Sequence, residues 1–250
     1  MRTVVVGASS GLGRCIGTGL ARRGENVALL ARRIDKLQDA ADEAGPGTVA
    51  IGCDVTDPGS VDSAIADAAS ALGGIDGLVY APAIGPLVGL MDTDAETWRS
   101  VFDTNVIGAA LITASAFKYL DASSGTAIFL SSVSASLTPP WPGLGAYAVS
   151  KAALDKMVEA WRAEHPEVGF TRLVVGDCIG GEGDSMTGFA NEWDPEAFVG
   201  YHQIWESRNF LAGAFIDVKD LVSVVHSLLQ GGASISVPSV TLAPRPQRAD

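Results

Sequence analysis

Tyr147-Ala148-Val149-Ser150-Lys151 places a phenol and an ammonium four positions apart. On a helix those positions share a face. A free tyrosine has a pKa of about 10, and a nearby cation favours the phenolate. The pair therefore suits proton exchange with an alcohol or carbonyl oxygen near neutral pH. Further polar groups stand upstream: Ser131 and Ser132 at the end of an apolar, β-branched run, Ser134 just beyond, and Asn105 in an earlier helical stretch.

A second group lies at the start of the chain. Gly7-Ala8-Ser9-Ser10-Gly11-Leu12-Gly13 separates the extended run Val4-Val5-Val6 from a helical stretch beginning near Leu12. Glycines let backbone N–H groups approach a pyrophosphate, and a helix start adds partial positive charge. Alone, such a cluster is often a tight turn; between a first strand and a first helix it points to a dinucleotide. The second strand ends Leu30-Ala31-Arg32-Arg33, with no acid before Asp35. An acid there would bond the ribose hydroxyls of NAD, whereas a guanidinium pairs with the 2′-phosphate of NADP. NADP(H) is the expectation and NAD(H) the lesser alternative; the bland reading is two solvated arginines opening a helix.

The elements that position these groups follow from periodicity. Strands are expected at Thr3–Val6, Val27–Ala31, Thr48–Cys53, Gly77–Tyr80, Thr126–Ser131, Phe170–Val175 and Ser234–Leu242. Helices are expected from near Leu12, Ile34, Val61, Asp94, Ala146 and Val218. Asp57 before Pro58 reads as a helix cap, and Thr93-Asp94-Ala95-Glu96 as a capping box. Nearly continuous apolar strands alternating with helices give an α/β class: a Rossmann-type, doubly wound, mainly parallel seven-stranded sheet with helices on both faces. Residues 180–215 break the rhythm with glycines and aromatics. Their place after the sixth strand makes them a candidate substrate lid, although ordinary core or a subunit interface would need the same residues.

Taken together, these residues resemble the classical short-chain dehydrogenase/reductase family over nearly the whole chain. The motifs carrying the resemblance are the Gly7/Gly11/Gly13 turn, Asp54-Val55 after the third strand, Asn105, Ser132 and the Tyr147/Lys151 pair. It implies hydride transfer at C4 of a nicotinamide by an Asn-Ser-Tyr-Lys tetrad. Tyr147 would be the general acid/base, and Ser132 would hold the substrate oxygen. Lys151 would lower the Tyr147 pKa and bind the nicotinamide ribose, while Asn105 would order a water relaying protons to Lys151. Asp54 would bond the adenine amine beside the Val55 backbone, Ala81 would be a further cofactor contact, and Cys178 would contact the carboxamide through its backbone. A homodimer or homotetramer built on the helices around 94–120 and 146–163 is implied as well.

Departures stand out. Tyr80-Ala81-Pro82-Ala83 replaces the usual Asn-Asn-Ala-Gly; Pro82 lacks an N–H, and Ala83 would be awkward wherever positive φ is required. Gly180 stands where relatives carry a threonine. Ser10 occupies a turn position where many NADP-preferring relatives carry a second basic residue.

Composition narrows the class. The chain has 250 residues, is 47% hydrophobic and carries a net charge of −12. Such an acidic balance argues against nucleic-acid partners. The three cysteines, Cys15, Cys53 and Cys178, are scattered, and no metal-ligand spacing occurs. His165, His202, His226, Asp177 and Asp184 get surface or core readings. Neither a signal peptide nor an apolar run of bilayer length is apparent, so a cytoplasmic chain without membrane contact is expected, 1–250 as one domain with a surface extension at 243–250. The expected activity is interconversion of an alcohol and a carbonyl on a small, apolar substrate. The alternative is a cofactor-sensing protein that keeps the fold without catalysis.

Overall fold

The computed structural model describes residues 1–211 and 213–245. Its centre is a seven-stranded sheet in the order β3-β2-β1-β4-β5-β6-β7. The strands are β1 (Arg2–Val6), β2 (Asn26–Ala31), β3 (Val49–Gly52), β4 (Gly77–Tyr80), β5 (Thr126–Ser132), β6 (Gly169–Val175) and β7 (Ser239–Leu242). All pairings are parallel. Alternation sends Val4, Val6, Tyr80, Ala127 and Phe129 to one face and Val5, Val79, Ile128 and Leu130 to the other. Burial on both faces explains the unbroken apolar runs.

The first face is covered by α3 (Pro58–Leu72), α5 (Gly108–Ser123) and α6 (Gly145–Glu164); the second by α1 (Gly11–Ala21), α2 (Ile34–Ala44) and α8 (Val218–Leu229). Helix starts obey local capping chemistry. Asp57 Oδ1 accepts from the Gly59 N–H at 3.0 Å with Pro58 at the first position. Before α4 (Ala95–Phe102) the cap is Asp94, which accepts from the Thr97 N–H at 2.7 Å. The expected box from Thr93 does not form, because the Thr93 hydroxyl donates backwards to the Gly89 carbonyl at 2.8 Å. Asp194-Pro195 repeats the Asp57-Pro58 signal and opens α7 (Pro195–Ser207). The last strand is shorter than expected: Pro238 has no N–H to add to a ladder, and pairing begins at Ser239.

Between α4 and α5 the chain passes without a break through a π-helical turn, Asp103–Ile107. The run Ala95–Ser123, 29 residues, is long and apolar enough to cross a membrane, contrary to the expectation that no stretch qualifies. Its apolarity has a use in the fold, since Ala109, Ile112, Ala116 and Leu120 are fully buried against the first sheet face. Tyr80, at the end of β4, is also fully buried, and its hydroxyl donates to the Thr104 carbonyl in the π-turn at 2.5 Å. Residues 246–250 of the expected extension lie outside the described residues.

Tyr80→Phe keeps the ring but leaves that carbonyl without its donor. A loss of about 1–3 kcal/mol is expected, read as a lower urea midpoint; an unchanged midpoint would show that the bond carries no stability.

Candidate active site

A cleft of about 1060 Å³ runs along the carboxyl edge of the sheet. Every site residue expected from the sequence lines it except Asn105. Neither do His165, His202 or His226 reach it. At one end is the β1–α1 turn. Gly7 and Gly11 adopt φ of 79° and 58°, and a Cβ on Gly13 would overlap the Gly7 carbonyl. Ser10 occupies the N-cap position of α1 without capping through its side chain, so the first-turn N–H groups are left for another acceptor. Ser9, Ser10 and Leu12 complete the lining of this end. This cradle fits a pyrophosphate.

The charge over the cradle comes mainly from Arg33. Its Nη2 donates to Ser9 Oγ at 3.0 Å and to Ser10 Oγ at 2.6 Å. Arg32 lines the cleft nearer Asp54, whose carboxyl its charge helps to hold below the ordinary range; the larger cause is the Thr56 N–H, bonded to Asp54 Oδ1 at 3.0 Å. Val55 lies alongside, buried.

At the other end α6 presents Tyr147 and Lys151. The Ser132 hydroxyl lies beside the phenol and shares a 2.9 Å bond with Ser134 Oγ. Ser131 lies on the sheet face beneath α6, which distinguishes the two serines. Lys151 is 2% exposed, and its Nζ donates to the Leu130 carbonyl at 2.7 Å. Burial pushes the lysine down to about 8, against the opposing pull of Asp155. Burial also pushes the Tyr147 phenol up to about 12, with Ser132 working in the other direction and Asp155 adding to the rise. The expectation that Lys151 depresses the phenol is therefore corrected: the ammonium is drawn onto the Leu130 carbonyl and stands 5.8 Å from the ring centroid.

Asn105 stands outside the cleft lining. Its side chain is fully buried, accepting from the Ile84 N–H at 2.8 Å and donating to the Ile84 carbonyl at 2.9 Å and to Ser150 Oγ at 2.9 Å. With its amide committed to protein partners, the side chain holds segments together.

The unusual stretch after β4 fits without strain. Ala83 is not among the residues with positive φ. The Pro82 nitrogen lies 2.9 Å from where a Gly7 Cβ would be, so its ring packs on the glycine turn. Ala81 and Cys178 line the cleft between its two ends. Where Gly180 offers no side chain, Thr187 comes instead: its Cα lies 3.2 Å from the Cβ position of Gly11. Only tertiary folding brings it there, through an antiparallel bridge between Gly180 and Met186. Asp184 pairs with Lys36 at 2.6 Å, and the Asp177 carboxyl is raised by burial at the cleft wall.

The segment 180–215 lies over the tyrosine end. Phe189 packs edge-on against Tyr147, centroids 4.9 Å apart. Two indoles anchor the segment: Trp193 Nε1 donates to the Gly85 carbonyl and Trp205 Nε1 to the Pro142 carbonyl, each at 2.8 Å. Trp141 packs on Trp205 at 5.0 Å.

A parallel sheet in this order, with a glycine cradle and a serine, tyrosine and lysine gathered on one cleft, defines a dinucleotide-type oxidoreductase scaffold. The short chain dehydrogenase family matches residues 2–179, and the chain belongs to that family. A short chain dehydrogenase from Pseudocercospora fijiensis is 34% identical over 167 residues, covering 64% of this chain and 53% of that one. The chain spans about half the length of several of the curated relatives it matches. Among solved structures, an alcohol dehydrogenase from Thermococcus sibiricus complexed with 5-hydroxy-NADP superposes with a TM-score of 0.80 at 23% identity, covering 99% of this chain and 98% of that one. A 3-ketoacyl-(acyl-carrier-protein) reductase from Brucella melitensis complexed with NADH gives a TM-score of 0.81 at 19% identity, covering 96% and 95%. At these identities the two structures speak for the fold.

Lys151 is expected to titrate at about pH 8 in ¹³Cε-lysine NMR spectra, well below the roughly 10.4 of a free lysine. A Lys151 resonance still fully charged at pH 9.5 would contradict the burial described above.

Proposed function

We propose that the protein interconverts an alcohol and a carbonyl by hydride transfer, using NADP(H) in preference to NAD(H). One observation carries the reading: Ser132, Tyr147 and Lys151 converge on the same cleft that holds the glycine cradle and Arg33. Gly7, Ser9, Ser10, Gly11, Leu12 and Gly13 would hold the pyrophosphate, Arg33 with Arg32 the 2′-phosphate, and Asp54 and Val55 the adenine. Ala81, Lys151 and Cys178 would face the nicotinamide half, which supplies or accepts the hydride at its C4. With its phenol pushed up to about 12, Tyr147 carries its proton at neutral pH and acts as the acid that protonates the carbonyl oxygen in reduction. Ser132 donates to that oxygen and orients it.

The substrate end favours apolar molecules. Leu87, Trp141, Leu144, Phe189 and Trp193 line it, and the carboxylates of Asp94, Glu96, Glu192 and Asp194 share the lining. Among the described residues, the only lysine or arginine side chains lining the cleft are Arg32, Arg33 and Lys151, so a neutral or cationic ring-bearing carbonyl suits it better than an acid. Segment 180–215 serves as the lid. Assembly as a homodimer or homotetramer would cover Ile107, 47% exposed, and Val149, 46% exposed, on the α5 and α6 sides.

Tyr147→Phe is expected to lower NADPH-dependent carbonyl reduction by at least about 10²-fold while leaving the NADPH dissociation constant unchanged. Full activity in that variant would sink the mechanism, and tight NADPH binding without turnover by the wild type would favour the cofactor-sensing reading instead. Arg33→Ala removes a charge-assisted contact and is expected to weaken NADPH about 10- to 100-fold, with NADH little affected. Equal losses for both dinucleotides would refute the NADP assignment.

A further inference from the structure

One helical turn beyond Lys151, α6 carries a charged side chain that the proposed chemistry does not use. Asp155 shares the face of Tyr147 and Lys151 by its spacing and is 5% exposed. Neither of its carboxylate oxygens has a close hydrogen-bond partner among the described residues; the Ser131 hydroxyl beneath it on β5, also without a close partner, faces the carboxyl. Among the described residues Arg172, on β6, is the nearest cation, at 3.8 Å. That guanidinium makes its short contacts elsewhere, with Glu159 at 3.1 Å and Ser239 at 3.3 Å. Lys151 is in the matching situation. Its ammonium is buried, and the one partner it bonds, the Leu130 carbonyl, is neutral. A buried ammonium without a compensating charge is costly, and so is a buried carboxylate with none. The two lie a turn apart on one helix face, beyond 4.0 Å and so without a close ion pair, and their attraction acts at longer range.

We propose that Asp155 is the counter-ion that keeps Lys151 charged inside the protein, a positioning residue that acts on Tyr147 through the lysine as well as by its own charge. The groups facing Asp155 are Lys151 and Glu159 on its own helix, Arg172 on β6 and Ser131 on β5. Its negative charge is the influence that opposes burial at Lys151. At Asp155 itself burial dominates and pushes the carboxyl up, with Ser131, Arg172 and Lys151 pulling it back. The sign at the lysine is then fixed. Removing the carboxylate leaves burial unopposed, Lys151 binds its proton more weakly, and it becomes neutral at lower pH.

The pairing itself is independent of the proposed activity, whereas its catalytic consequence rests on that reading. Asp155→Asn preserves shape while removing charge. The Lys151 titration in ¹³Cε-lysine NMR spectra, assigned through Lys151→Arg, is expected to move down by about one pH unit, tenfold in proton affinity. An unmoved titration in the folded variant would overturn the proposal. Should Asp155→Asn fail to fold, Lys151→Met reports the same coupling from the other side. The Asp155 carboxyl, followed by ¹³C NMR, is then expected to titrate higher than in the wild type, and an unchanged value would overturn the pairing. For catalysis, the alkaline limb of kcat for NADPH-dependent reduction is expected to shift to lower pH in Asp155→Asn, with the NADPH dissociation constant unchanged. A variant with lowered Tm but the wild-type pH profile would reduce Asp155 to a packing role. A wild type inactive on every carbonyl tested would refute the proposed function and leave the NMR test standing.

Discussion

The carboxamide of Asn105 joins three segments: its own π-turn, the loop after β4 and α6. Both of its ends are spent on the backbone of Ile84, in the loop after β4, and its second N–H reaches Ser150 on α6. Ser150 Oγ in turn donates to the Tyr147 carbonyl at 2.7 Å. The loop that floors the cleft and the helix that carries its phenol and ammonium are thus referenced to one buried side chain. A π-turn is the cost of presenting it, because the extra residue per turn swings Asn105 inward and interrupts the ordinary helical ladder. Tyr80, standing where relatives carry an asparagine, steadies that turn from β4.

Around this tie the electrostatics are arranged in opposition along the cleft. At the cradle end, helix N–H groups and Arg33 gather positive character at a surface open to an anion. At the other end, dry surroundings push a tyrosine towards its neutral form and a lysine towards losing its charge. An acidic chain can therefore hold an anionic ligand, since the local field and not the net charge of −12 meets the phosphates.

Much of this was legible in residue order. The doubly wound sheet followed from apolar runs alternating with helical periods, and the Tyr147/Lys151 face from a spacing of four. Asp57-Pro58 announced one helix, and the same signal at Asp194-Pro195 could have announced α7. Other features depend on contacts between distant segments, for which local pattern holds no information. Which of two adjacent arginines lies over the turn depends on where the chain leaves β2. Asn105 could be picked out as a site residue, but its structural role depends on Ile84, 21 residues away. Thr187 reaches the cradle only because a bridge between Gly180 and Met186 folds the segment after β6 back upon itself. The charge of Asp155 becomes consequential only once burial removes its water.

Pro82 takes the place of a residue with an N–H, and its ring packs on Gly7. A proline has one backbone torsion already fixed, and it presses against the residue whose positive φ shapes the cradle. The floor of the cleft is thereby stiffened before any ligand arrives. Ordering that loop would otherwise be part of the entropy lost on association, and a surface already in its bound shape loses less. In this protein the cradle is a preset mould, shaped before a ligand reaches it.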